Sequence, residues 1–239
     1  MKKIFLKGCH DGIPIALGYL SVSFTFGLMA VSVGMTPLQA VLISMTNLTS
    51  AGQFAGLELM ASGGMLLEMA LVQFIINLRY SLMSISLSQK TDRSFTIPVR
   101  LLAAIGITDE VFAVSYANNR EINKWYMAGI IIVPYFGWAG GTLIGALVGT
   151  SLPEIVINSL GIAIYGMFLA IIIPPARKNS GILKVVIIAV VIRVILFYTP
   201  VLNKISSGFA IIICAVVASG IGALFFPVTD EGADSGKSS

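Results

Sequence analysis

Eight largely apolar stretches, each near the length of a membrane-crossing helix, occupy almost the whole chain. They run at roughly 13–34, 37–60, 64–88, 98–118, 126–149, 153–174, 182–199 and 207–227. A crossing helix needs about 20 predominantly apolar residues, so each stretch qualifies by length. Charged residues are 11% of the chain and mean hydropathy is +0.93. Soluble domains carry about 25% charged residues to furnish a water-facing surface. This chain cannot cover a core of its own with polar groups, and lipid must be its solvent. The sequence therefore predicts an all-α fold, a polytopic transmembrane helix bundle of about eight membrane segments.

The net charge is +4 and the isoelectric point near 9.1, but the basic residues are scattered between apolar runs. That pattern suits loop charges that orient a membrane protein and excludes a nucleic-acid surface. Cys9, Cys214 and the single histidine, His10, have no partners at ligand spacing, so no metal site and no cofactor is expected. The basic start, from Met1 to Gly12, is not followed by a short apolar region with a small-residue cleavage site. It reads as the lead into a retained first helix.

The breaks carry information. Gly34 with Pro37, and Gly149 with Pro153, mark tight turns in which proline opens the next helix. Gly27 and Gly141, Arg79 and Arg193, and Gly106 and Gly220 share one common offset, and the two turns match at nearly the same one. This order predicts two repeated halves of four segments, 1–118 and 119–227, followed by a disordered polar tail, 228–239. Two topologies are compatible with it. Eight full spans make the halves parallel and put Lys90, Arg93 and Arg100 on the side opposite the N-terminus. Re-entrant second and sixth segments make the halves inverted and put Arg120 and Lys124 there instead. The positive-inside rule does not decide between them, and the N-terminus is cytoplasmic in both.

Three places hold polar chemistry inside apolar runs. Between Asn47 and Gly56 lie an amide, two hydroxyls, Gln53 and two glycines. Close helix packing is one reading; the other is a locally unwound helix in which Asn47, Ser50 and Gln53 bind solute. The stretch from Asn158 to Gly166 is its counterpart in the second half. In the third segment Gln73, Asn77, Ser81, Ser84 and Ser88 form one helical stripe, while Arg79 faces nearly the opposite way. One pocket receiving both Asn77 and Arg79 requires a kink or two different neighbours. Arg79 either binds a substrate carboxylate or pairs with a structural carboxylate; Arg193 leans structural. In the fourth segment Asp109 and Glu110 are adjacent carboxyls about halfway along a span. Repulsion and desolvation favour protonation of one of them, which suits proton coupling or ammonium binding, and neutralising an arginine is the alternative.

The chain resembles the AzlC-type family, the large subunits of branched-chain amino acid exporters. The resemblance rests on Ser21–Gly27, on Ser44–Gly56, on Asn77 to Arg79, on Thr108–Ala113, and on Trp138–Gly149 followed by a proline-started helix. Where the family has Pro-Phe-Gly near the end of the first span, this chain has Thr25, Phe26 and Gly27. The resemblance implies export of leucine, isoleucine, valine and also methionine across a bacterial inner membrane, with a small AzlD-type membrane subunit as partner. On that reading Asn47, Ser50, Gln53, Asn77 and Arg79 bind the amino acid, and Asp109 or Glu110 handles the proton or the ammonium. A passive channel for small neutral solutes would use the same polar groups without needing an ionisable pair. An intramembrane enzyme is disfavoured, because no span holds a histidine and Asp109 is the only aspartate inside one.

Overall fold

The computed structural model describes residues 1–118, 121–151 and 179–226, with positions 155, 169, 172–174, 176 and 177 between them. All of its regular structure is helical apart from one isolated bridge between Thr91 and Ile122. Its contacts gather into two units, Met1–Gly166 and Met167–Ser239. Among the described residues five helices are long and apolar enough to cross a membrane: Lys2–Ser32, Leu66–Ser88, Lys124–Val148, Ser180–Tyr198 and Ser207–Phe225.

The first unit contains α1 (Lys2–Ser32), α2 (Pro37–Thr46), α3 (Ala51–Ala61), α4 (Leu66–Ser88), α5 (Ile97–Ala104), α6 (Asp109–Ala117) and α7 (Lys124–Val148). Its spine is α1 against α7. A Cβ on Gly27 would lie 2.1 Å from the Thr142 carbonyl oxygen, and one on Gly145 would lie 1.9 Å from that of Phe24. The two backbones touch there, which only glycine permits. Nearer the start of both helices, Lys7 sits over the Tyr126 ring and the Tyr126 hydroxyl donates to Asp11 at 2.9 Å. Low numbers meet low and high meet high, so α1 and α7 run parallel.

The second expected span is a hairpin. Thr36 and Gln39 cap α2 reciprocally, with Pro37 in the first turn, which starts the helix sharply after Gly34. From there α2 descends along α7: Ser44 meets Thr142, and the Tyr135 hydroxyl reaches the Met45 carbonyl. Residues 47–50 are not helical, and Leu48 joins Ile15, Tyr19 and Trp138 in the lower core. Then α3 climbs back. Phe54 packs edge-on against Phe26 at 5.5 Å, and Leu57 shares a core cluster with Ala30 and Ala40. Had the segment crossed, Phe54 would lie far from Phe26.

The fourth expected span is a second hairpin, from the other end. The helix α4 runs down to a loop in which Asp92 accepts from Ser94 and from Asn123 at 2.7 Å. Burial alone would raise the Asp92 carboxyl, but the hydrogen bonds of Ser94 and Asn123 and the charge of Lys124 outweigh it and hold it below the usual range. This loop knot is therefore stable at neutral pH and weakens only as pH falls through that lowered value. From the loop α5 rises until Gly106 abuts Ile131, the chain breaks at 105–108, and α6 descends until the Tyr116 carbonyl accepts from Lys90.

These observations leave the expected helical membrane bundle standing and correct the topology in which all eight segments are full spans. Segments 37–60 and 98–118 turn back in mid-bundle, because polar and glycine residues interrupt each before it is long enough to cross. Both earlier topologies are corrected too. The second segment is re-entrant as one of them had it, but so is the fourth, so α7 runs parallel to α1 and Lys124 lies at the N-terminal end. Lys2, Lys3, Lys7, Lys90, Arg93, Arg100 and Lys124 all sit towards that end, and among the described residues of this unit the opposite end has no lysine or arginine.

In the second unit, α8 (Ser180–Tyr198) and α9 (Ser207–Phe225) form an antiparallel pair. Val185 packs on Gly222 and Lys184 lies over the Phe226 ring at 4.7 Å. Arg193 stands 5.9 Å from the Phe197 ring of its own helix. Nearly all of the sixth expected segment, including the stretch from Asn158 to Gly166, and the tail 228–239 lie outside the described residues.

Two outcomes follow. In a background with Cys9→Ser and Cys214→Ser, cysteines at Lys3 and Arg93 should share one accessibility to an impermeant thiol reagent, and one at Ser62 the opposite. Eight full spans would reverse both relations to Lys3. Gly145→Leu should sharply reduce folded yield in detergent, since overpacking costs ~1–3 kcal/mol or more where backbone must move. Gly140→Leu, whose Cβ meets nothing within 4 Å, should be tolerated.

Candidate functional site

The tips of the two hairpins meet mid-way along α1, α4 and α7, and the polar residues of the first unit converge there. At the upper tip Gln53 is 1% exposed, and both ends of its amide are engaged. It accepts from Trp138 Nε1 at 2.8 Å and donates to Ser44 Oγ at 3.1 Å, and Ser44 pairs with Thr142 at 2.7 Å. This network fastens the hairpin to α7. On the other side Gln73 of α4 donates to the Gly52 carbonyl at 2.7 Å and accepts from Asn77 Nδ2 at 3.2 Å. Asn47 accepts from Thr49 at 2.9 Å, and Ser50 precedes α3 without a capping hydrogen bond from its side chain.

The lower tip is held by ionisable groups. Thr108 caps α6 by accepting from the Val111 amide at 3.3 Å. The Tyr19 oxygen lies 2.6 Å from Thr108 Oγ1 and 2.5 Å from Glu110 Oε2. A phenol has one proton and a carboxylate has none. Tyr19 therefore donates to Glu110 and accepts from Thr108, giving a relay from Val111 through Thr108 and Tyr19 to Glu110. Beside it, Arg79 Nη1 and Asp109 Oδ2 are 2.7 Å apart, with side chains 39% and 42% exposed. Arg79 also donates to Tyr80 at 3.2 Å and stacks 4.9 Å from its ring. The tips are bridged by Tyr19 and Trp138, whose rings meet edge-on at 5.1 Å.

The sequence-derived residues thus divide into groups. Asn77 and Arg79 do point to two different neighbours: Asn77 serves the upper tip and Arg79 the lower. Asp109 and Glu110 lie in the first turn of α6, at the tip of the lower hairpin, rather than halfway along a crossing helix. The sequence-derived site residues do not include Tyr19, Trp138, Thr108, Ser44 and Thr142; all but Tyr19 lie in stretches that carry the family resemblance, but each reads singly as an ordinary residue of an apolar helix. The available signal for the lower break was Gly106 followed by Thr108 and two acidic residues, a helix start inside an apolar run. Two buried polar atoms remain without a partner on α4, Asn77 Oδ1 and Arg79 Nε. Orphans of this kind require an explanation in a native fold.

Helices of this length and apolarity, broken hairpins and a central polar cluster together define a polytopic membrane protein. A family model described as AzlC protein matches residues 14–152, and the chain belongs to that family. It is similar to the inner membrane protein YgaZ of Escherichia coli, at 32% identity over 95% of this chain and 94% of that protein. An uncharacterized membrane protein of Archaeoglobus fulgidus is 34% identical over 72% of this chain and 75% of its own length. The branched-chain amino acid transport protein AzlC of Bacillus subtilis is 22% identical over 58% of this chain and 55% of its own. No solved structure matches.

Gln53→Leu tests the upper tip. It leaves the Trp138 N–H and the Ser44 hydroxyl unpaired, at a cost of about 1–3 kcal/mol for each stranded group. The variant should unfold at lower temperature in detergent than the parent, and Asn47→Leu should not.

Proposed function

We propose that this chain is a transporter of the bacterial inner membrane that exports branched-chain amino acids in a proton-linked cycle. Leucine, isoleucine and valine are the substrates, methionine is a further candidate, and a small AzlD-type subunit is the partner. The basic end of the first unit, with the N-terminus, faces the cytoplasm by the positive-inside rule. Support comes from family membership, from similarity to the branched-chain amino acid transport protein of Bacillus subtilis, and above all from the half-open pair of Arg79 and Asp109.

That pair is complementary to a zwitterion. An amino acid entering between them offers a carboxylate to Arg79 and an ammonium to Asp109, and each protein charge exchanges one partner for another. Both keep a counter-charge throughout, so the step avoids stranding a charge in a low-dielectric site. The orphaned Arg79 Nε supplies a second donor for a two-pronged carboxylate contact. Asn77 Oδ1 and the unwound residues Asn47 and Ser50 offer acceptors at the upper tip, and the apolar walls take the side chain. Gln53 holds that tip in place rather than meeting solute directly.

Proton linkage resides in the lower tip. Protonating Asp109 or Glu110 removes an anion that holds α6, to Arg79 in one case and to Tyr19 in the other. The upper tip is fastened by amide, indole and hydroxyl groups, which do not titrate near neutrality. A pH gradient therefore acts on one hairpin alone. A passive channel would share the facing hairpins but has no use for this asymmetry.

Proteoliposomes loaded with labelled leucine should release it faster when a proton gradient is imposed. Arg79→Ala should fold, because an Asp109 left without its partner can take up a proton instead of staying charged, yet bind no leucine. Asp109→Asn or Glu110→Gln should abolish the response to the gradient while retaining exchange of internal for external leucine. Gradient sensitivity surviving in both carboxyl variants would remove the proton linkage. Leucine efflux no faster than in empty liposomes would remove the exporter.

A further inference from the structure

A second polar cluster lies below the lower tip, apart from the pair of Arg79 and Asp109. A cavity of about 270 Å³ opens between α4, α5 and the start of α7. Its polar lining is Ser84, Ser88, Thr91 and Arg100, and its apolar lining includes Phe95, Ile107 and Met127. Small-molecule sites span ~300–1,000 Å³, so this volume suits a ligand the size of a single amino acid and excludes a nucleotide.

Arg100 is the sole charged group in the lining. Its Nε donates to the Phe95 carbonyl at 3.2 Å and one terminal nitrogen reaches Thr91 Oγ1 at 3.4 Å, which fixes the plane of the guanidinium. A guanidinium has five N–H donors, so three stay available to an anion. Among the described residues no carboxylate pairs with it. Ser84 and Ser88 belong to the same helical stripe as Gln73 and Asn77. That stripe leads from this cavity to the level of the hairpin tips, and Ile107, in the break between α5 and α6, lies at its inner wall.

We propose that this cavity is a second amino-acid site at the basic end of the first unit, where the solute's carboxylate meets Arg100 before the solute reaches the pair of Arg79 and Asp109 at the lower tip. The inference rests on the amino-acid reading given above. Arg100 fixes the carboxylate, Ser84 and Ser88 accept from the ammonium, and Phe95, Ile107 and Met127 surround a branched apolar side chain. The site gives the molecule two carboxylate stations, one at its basic end and one at the lower hairpin tip.

Equilibrium dialysis of the full-length chain with labelled leucine tests it. The parent should bind two leucines per chain, Arg100→Gln one, and Arg100→Lys two with a weaker second. Ala104→Phe, which fills the cavity from its wall without altering a charge, should also bind one. In proteoliposomes of known orientation, Arg100→Gln should raise the KM for leucine about tenfold from the side bearing Lys124 and leave the opposite side unchanged. A parent that binds one leucine, or two that survive both Arg100→Gln and Ala104→Phe, overturns the second site and leaves the transport reading standing. Unchanged leucine binding with less co-purifying anionic phospholipid in Arg100→Gln makes the cavity a lipid site and also overturns the proposal. A parent that binds no leucine removes both readings.

Discussion

Inside hydrocarbon every backbone donor and acceptor must find a partner within the protein, and two broken hairpins make that demand acute. Each tip frees amides at the start of one short helix and carbonyls at the end of another. The fold answers with side chains drawn from the long helices and from the lower tip itself. Gln73 reaches the Gly52 carbonyl, Thr108 takes the Val111 amide, and Trp138 and Tyr19 reach the two tips from α7 and α1. Irregular backbone at this depth is tolerated only when buried in protein or lining a cavity, and here it does both. The central polar cluster is therefore a condition of folding as well as the proposed place for solute.

The two tips meet this demand with different chemistry. Above, the groups are an amide, an indole and hydroxyls, a set whose hydrogen bonds persist across physiological pH. Below, they are two carboxyls, a phenol and a guanidinium. Hydrogen bonds to charged groups are roughly twice as strong as neutral ones, but they can be switched off by a single proton. The proposed solute site between the tips would have one wall of fixed character and one that responds.

How much of this the sequence reveals depends on what distinguishes each element. The membrane class follows from apolar length alone. The upper break is legible because Asn47, Thr49, Ser50, Gly52 and Gln53 crowd into a few positions that no ordinary apolar helix would hold. The lower break is harder to see: Ile105, Gly106 and Ile107 keep hydropathy high, and only Thr108 and its acidic neighbours signal a new helix. Opposite facing of Asn77 and Arg79 follows from helical periodicity, and the structure has them serve different tips. Tyr19 and Trp138 are invisible beforehand, because their roles depend on which helices lie beside theirs. The parallel course of α1 and α7 is likewise a long-range fact, encoded only as glycines that many packings could use.

That parallel seam bears on how the molecule is made. The helix α1 enters the membrane before α7, with its glycine face turned towards a surface that does not yet exist. Its match is completed only after the ribosome has passed Val148, by which time α4 and both hairpins have already been delivered. Contacts so distant along the chain are slow to form. A nascent chain in this state holds two unfinished hairpin tips in the lipid and a helix awaiting its mate. Synthesis is thus the period of greatest exposure to the cell's membrane quality control, and slowing translation before the seventh helix would lengthen it.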